Sequence, residues 1–153
     1  MSARGPLSHI DLSVSDPDRS IPFYAAFFEG LGFKRLRRSH PQFAGDRPRR
    51  AAWFIRNPDR TIFGVEVRPA SGPRRDATHD RYAPGLHHMA FHAESAAAVD
   101  ELNARVVAAG GTVLDAPADY SGLEGYSEGY YAAFFADPDG VKLEVVHEPG
   151  TNP

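Results

Sequence analysis

Two histidines and two glutamates occupy matched places in this chain. One displacement carries Leu7 to Leu86, His9 to His88, Ile10 to Met89, Leu12 to Phe91 and Gly32 to Gly111, so the sequence reads as one unit written twice. Each copy offers a histidine early, His9 or His88, and a glutamate late, Glu66 or Glu144. Two imidazoles and two carboxylates are nitrogen and oxygen donors suited to a divalent metal such as Zn, Ni, Co, Mn or Fe, with water completing the shell. Any one of them alone is more simply a polar group on the wet face of a sheet. The matched set of four favours the metal.

Period-two alternation is what must position them. From Leu7 to Val14, Ile10, Leu12 and Val14 share one face, while His9, Asp11 and Ser13 share the other. From Thr61 to Arg68, Phe63, Val65 and Val67 form the apolar stripe and Glu66 faces away from it. From Leu86 to Ala93, Met89 and Phe91 point toward a helix, and His88, Ala90 and His92 toward a cavity. From Val141 to His147, Leu143 and Val145 face the core and Glu144 takes the opposite side. His87 points with Met89 and Phe91 and reads as packed or as lying at a strand end. His92 reads first as hydrogen-bonded or solvent-facing, and second as a donor or acid/base beside His88.

Between these strands the punctuation is regular. Asp16 followed by Pro17 starts a helix. Pro22 is expected to split off a tight first turn from a main helix buried along Ile21, Tyr24, Ala25 and Phe28, with Gly30 and Gly32 at its end. Strands are expected over Phe33 to Arg38 and Ala51 to Arg56, with the turn Asn57-Pro58-Asp59-Arg60 leading to the strand that carries Glu66. In the second copy Ser95 caps a helix with Val99, Leu102 and Val106 inside, and Gly110-Gly111 ends it. A short strand over Thr112 to Leu114 comes next. The Gly- and Tyr-rich stretch Asp115 to Gly129 is expected to be a loop able to cover a cavity, and Asp137-Pro138-Asp139-Gly140 a turn between the last two strands. The expected fold is α+β, a single domain of two βαβββ modules over 7–68 and 85–148, joined by a linker over 69–84.

Composition narrows the function. The chain has 153 residues, a formal charge of −3 and no cysteine, which excludes disulfides, thiolate ligands and a cysteine nucleophile. No global basic field recommends nucleic acid, and the arginine-rich patches Lys34 to Arg38 and Arg47 to Arg50 read as solvated faces. Met1 to Pro6 carries no signal-like apolar run, and no stretch approaches the ~18 apolar residues of a membrane span. A cytoplasmic protein without membrane or nucleic-acid partners is expected.

The ordered motifs Ser8-His9-Ile10-Asp11-Leu12, Asp16-Pro17-Asp18-Arg19-Ser20-Ile21-Pro22-Phe23-Tyr24, His88-Met89-Ala90-Phe91 and Asp137-Pro138-Asp139-Gly140-Val141-Lys142-Leu143-Glu144 resemble the vicinal oxygen chelate superfamily. That group includes glyoxalase I, extradiol dioxygenases, fosfomycin-resistance proteins, methylmalonyl-CoA epimerase and bleomycin-resistance proteins. The resemblance implies curved mixed sheets around a shared cavity, a small-molecule substrate or ligand, and modules paired within one chain or exchanged in a homodimer. It carries the metal positions onto His9, Glu66, His88 and Glu144. Within the superfamily this set is most similar to glyoxalase I, which implies a divalent-metal-dependent lyase or isomerase with Glu144 as the proton-transfer base and Glu66 as its partner. Ser13 departs from the pattern: it stands where glutathione-using glyoxalases I resemble one another in having arginine, and serine cannot supply that charge.

Three alternatives use the same residues differently. An Fe(II) extradiol-type dioxygenase needs two histidines and one glutamate, leaving Glu66 superfluous. A fosfomycin-type enzyme needs cations for a phosphonate, for which Arg35, Arg37 or Arg68 are available. A bleomycin-resistance-like protein binds an aromatic ligand without catalysis, which Trp53, Tyr120, Tyr126, Tyr130 and Tyr131 suit unless they serve as sheet core and loop packing. The expected substrate contacts are Ser13, Trp53, His92, Tyr120, Tyr126 and Tyr131.

Overall fold

In the computed structural model the chain is described over residues 7–37, 41–44 and 49–150. It divides into two units, Met1–Ala77 and Thr78–Pro153. The first unit runs β1 (His9–Val14), α1 (Pro17–Gly30), β2 (Lys34–Arg35), a 3-10 turn (Pro41–Phe43), β3 (Ala51–Arg56) and β4 (Ile62–Pro69). Its second counterpart runs β5 (His88–His92), α2 (Ala96–Ala108), β6 (Thr112–Asp119), β7 (Tyr131–Ala136) and β8 (Lys142–His147). Each unit is one four-stranded mixed sheet with one helix, in the orders β1-β4-β3-β2 and β5-β8-β7-β6. In both, the first and last strands pair in parallel and the remaining pairs are antiparallel. The protein is thus α+β, built from two βαβββ modules.

The helices form where the caps and stripes dictate, with one correction. The Asp16 carboxylate accepts from the Asp18 N–H at 2.9 Å and Pro17 opens the first turn, but α1 then runs unbroken through Pro22. Pro22 and Asp18, whose carbonyl loses its intrahelical partner to the proline, are both exposed, so the missing bond lies on the solvent side. The buried stripe is also wider than a simple i, i+3, i+4 pattern. Phe23 and Phe27 join Ile21, Tyr24 and Phe28, while Ala25 is only half-buried. Phe28 packs its ring 5.2 Å from Phe33 and 5.7 Å from Trp53, which ties α1 to the sheet. In α2 the Ser95 hydroxyl accepts from the Ala98 N–H at 3.1 Å, and Val99, Leu102 and Val106 are buried.

Three stretches differ from expectation. The strand expected over Phe33 to Arg38 contributes only Lys34 and Arg35, followed by one further bond from the Leu36 N–H to the Ala52 carbonyl at 2.8 Å; Arg38 and Arg47 lie outside the described residues. The strand expected to stop at Leu114 continues to Asp119. Its pairing with β7 slips between Val113 and Asp115 and again between Asp115 and Ala118. Pro117 falls in the second irregularity of this edge strand, where its lack of an N–H breaks no regular ladder. The interval read as a linker is used at both ends: β4 reaches Pro69, and the His79 N–H donates to the Asp139 carbonyl at 2.7 Å, fastening that segment to the β7–β8 turn.

Candidate metal and substrate site

The strand registers place all four donors on the sheet faces opposite the helices. In the first unit His9 pairs with Gly64, Asp11 with Glu66 and Ser13 with Arg68, while Ala52 flanks Glu66 from β3. Registered neighbours share a face, so these side chains stand together and Leu12, Val14, Val65 and Val67 go to the helix side, where they are buried. Gly64 beside His9 contributes no side chain, and a cavity of ≈ 430 Å³ opens there, lined by His9, Asp11, Phe54, Gly64 and Glu66 among others.

Glu66 is nearly buried, and its Oε1 accepts from Arg50 Nη2 in a short ion pair. The Arg50 guanidinium lies 5.1 Å over the Phe43 ring, and its Nε is buried without a hydrogen-bond partner among the described residues. Arg50 is therefore not part of a solvated arginine patch. Extending the alternation of Ala52 and Phe54 back by one step would have put it on the Glu66 face. Beside it, Arg68 Nη1 meets Asp11 Oδ2 at 3.1 Å, and His9 Nδ1 lies 3.3 Å from the Ser8 hydroxyl.

The second unit repeats the register with different neighbours. Ala90 pairs with Glu144 where the first unit has Asp11 with Glu66, and Phe134 flanks Glu144 from β7. Glu144 is 3% exposed. His88 Nε2 lies 3.2 Å from Glu144 Oε2, and the Tyr130 hydroxyl donates to Glu144 Oε1. On the other side of the His88 ring, its Nδ1 lies 2.7 Å from His87 Nδ1. Burial, and then the hydrogen bond to the Glu144 carboxylate, pushes the Tyr130 phenol well above its usual range, so it stays a donor. Desolvation and the neighbouring His88, Lys142 and Arg81 hold His87 below the ordinary imidazole range. His87 thus lies at the strand end, immediately before β5, where it is exposed, packs 5.8 Å from the Tyr82 ring and partners His88. Nothing in strand alternation signals this contact, because it runs along the chain rather than across the sheet.

Of the expected substrate contacts, Ser13 and His92 stand exposed on these open faces. Tyr120 and Tyr126 stand with Tyr130, ring centroids 5.3 Å and 4.8 Å apart in sequence order, and Tyr120 also packs 5.7 Å from Phe134. Trp53 and Tyr131 go the other way. The Trp53 indole N–H donates to Glu29 Oε1 of α1 at 3.0 Å, and the Tyr131 hydroxyl donates to Asp100 Oδ1 of α2 at 2.9 Å. Both fall in phase with the apolar stripes. Among the described residues no group of three or more His, Asp or Glu side chains is arranged so that it could hold a metal ion.

Doubled βαβββ units with these registers have known counterparts. The sequence profile of the Glyoxalase/Bleomycin resistance protein/Dioxygenase superfamily matches residues 7–145. The chain belongs to that superfamily. As a superfamily member it is 31% identical over 142 residues to the uncharacterized protein YqjT of Bacillus subtilis (strain 168), covering 92% of this chain and 97% of that one. Among solved structures, a glyoxalase/bleomycin resistance protein from Albidiferax ferrireducens T118 is 26% identical with a TM-score of 0.59, covering 95% of this chain and 100% of that one. A glyoxalase/dioxygenase from Nostoc punctiforme shares the fold with a TM-score of 0.61 at 21% identity, covering 97% and 98%. No helix among the described residues is long and apolar enough to cross a membrane.

Proposed function

We propose that this superfamily member is a glyoxalase-like metalloprotein, a lyase or isomerase that acts on a small substrate presenting two oxygens to a divalent metal. His9, Glu66, His88 and Glu144 are the residues that would hold the metal. The observation that carries the reading is the approach of His88 Nε2 to the buried Glu144 Oε2 at 3.2 Å. A buried carboxylate beside an imidazole nitrogen, with no thiolate in the set, fits a borderline or hard divalent cation. Glu66 fits as well, since its charge is already met by a cation, the Arg50 guanidinium, which a metal would replace.

The metal, when bound, supplies a Lewis acid that polarises a substrate oxygen. The chain's own groups do the rest. Glu144 takes a proton from one carbon and returns it to the adjacent one, with Glu66 as its partner. Phe134 flanks this carboxylate from β7, and the Tyr120 and Tyr126 rings pack against Phe134 and against the Tyr130 that donates to it. Glutathione is not the favoured thiol, because Ser13 offers no charge and the neighbouring Arg68 is paired with Asp11. The reading carries with it a cytoplasmic homodimer, supported by the cysteine-free composition and the family resemblance.

A second reading, capture of an aromatic ligand without turnover, is favoured by the Tyr120, Tyr126, Tyr130 and Phe134 cluster. Protein loaded with Ni, Co, Mn, Zn or Fe(II) and screened against hemithioacetals, catechols and phosphonates separates the two. Metal-dependent isomerisation of a hemithioacetal that falls by about 100-fold or more in Glu144→Gln supports the enzyme. Aromatic binding that is indifferent to metal, with no turnover, supports the binder.

A further inference from the structure

His87 and Tyr130 have no part in the chemistry above, yet they flank His88 and Glu144 on either side. His87 Nδ1 lies 2.7 Å from His88 Nδ1, His88 Nε2 lies 3.2 Å from Glu144 Oε2, and the Tyr130 hydroxyl donates to Glu144 Oε1. The four side chains form one row of polar contacts, hydrogen-bonded at its two ends and joined in the middle by the His88–Glu144 approach. We propose that His87 and Tyr130 are positioning residues that fix which ring nitrogen of His88 and which carboxylate oxygen of Glu144 face a bound divalent cation. The inference rests on the metal reading of His88 and Glu144 and adds two residues to it.

Donors and acceptors decide which ring nitrogen is bare. A nitrogen–nitrogen contact of 2.7 Å requires a hydrogen on one of the two Nδ1 atoms and a lone pair on the other. A neutral imidazole can take either role. Without a metal, one arrangement has His87 Nδ1–H donating to His88 Nδ1 and the hydrogen of His88 on Nε2, the edge that faces Glu144. A cation accepts a lone pair only, so His88 Nε2 must then be bare and its hydrogen must sit on Nδ1. His87 Nδ1 becomes the acceptor for it, with its own hydrogen on Nε2. Orientation of this kind by an outer hydrogen-bond partner sharpens a histidine ligand and raises its basicity.

Tyr130 acts on the carboxylate in the same sense. Its hydroxyl occupies Oε1, which leaves Oε2, the atom nearest His88, as the oxygen to meet a cation. Glu144 is then a one-oxygen ligand. Among the described residues the first unit has other partners at these places: Glu66 Oε1 pairs with Arg50, and His9 Nδ1 has the Ser8 hydroxyl. The two histidine–glutamate pairs of the repeat are therefore not equivalent, and the better-oriented one is in the second unit.

The test is a zinc titration against a chromophoric chelator, run on the full chain as wild type, His87→Phe, His87→Asn and Tyr130→Phe, with ring-nitrogen NMR of the histidines beside it. Zinc affinity is expected to fall by about 10–100-fold in His87→Phe and in Tyr130→Phe. His87→Asn, whose amide can donate or accept, is expected to recover most of the loss, and His88 should show its hydrogen on Nδ1 in the zinc-loaded wild type. Equal affinities across the four proteins would overturn the proposal while leaving the metal reading intact. If the wild type takes up no zinc, the metal reading fails, and the NMR still decides the contact: a His88 Nδ1 resonance that is the same in metal-free wild type and His87→Phe contradicts the row.

Discussion

Arg60 and Gly140 hold the same place in the two copies of the strand–turn–strand, and only one of them is a glycine. Gly140 has φ +89° and Arg60 φ 69°, a left-handed conformation that costs a residue with a Cβ roughly 1 kcal/mol relative to glycine. Arg60→Gly is therefore expected to stabilise the fold by about 1 kcal/mol in denaturant unfolding, and a loss of stability would contradict this account of the turn. Asn57-Pro58-Asp59 announced the turn; its handedness at Arg60 was hidden because arginine gives no sign of it. Arg50 gives the second prediction at this scale. Its guanidinium competes with any cation for Glu66, so Arg50→Gln is expected to bind metal about tenfold more tightly, a change of ~1.4 kcal/mol, measured by competition titration. Alternation located His9, Glu66, His88 and Glu144 on open faces because a strand has a fixed period. It could not locate the Tyr130 contact to Glu144, since Tyr130 precedes β7 and depends on the loop that delivers it.

At the scale of elements, α1 is an aromatic bar with Phe23, Tyr24, Phe27 and Phe28 all buried. Phe28→Ala removes the ring that meets Tyr24, Phe33 and Trp53, and is expected to cost about 3–5 kcal/mol of unfolding free energy. The helices, their caps and the β1, β3, β4 and β8 positions were readable because each carries a clean period and a chemical stop. The second half of β6 was not, because two register slips and Pro117 erase alternation where the strand continues. The segment that follows holds the tyrosine cluster, and its pH response has a definite sign. The Tyr120, Tyr130 and Tyr131 phenols are raised above 10.0, by burial first for Tyr120 and Tyr130 and by the Asp100 hydrogen bond first for Tyr131. The folded protein thus keeps these protons longer than the unfolded chain does. The stability they contribute is full below pH 10.0 and is lost as pH rises above it. Phenolate absorbance is expected to rise in a late step that coincides with alkaline unfolding, and Tyr130→Phe should unfold less steeply with pH over that range. Early, independent ionisation of all six tyrosines would contradict the arrangement.

At the scale of the whole molecule, the duplication was the most legible feature, because matched residues keep one displacement from Leu7 to Gly32 and the later elements recur in the same order. The same doubling explains why each unit ends with a buried glutamate beside a first-strand histidine's face, Glu66 in one and Glu144 in the other. A metal that binds only the folded chain must stabilise it by mass action, by about 2.7 kcal/mol at 100 times its dissociation constant. The most direct measurement is elemental analysis of the purified, chelator-free protein beside Glu144→Gln and His88→Ala. Near-stoichiometric divalent metal in the parent and a clear loss in both variants are expected. No metal in the parent, even after incubation with Ni, Co, Mn, Zn and Fe(II), would contradict the metal reading.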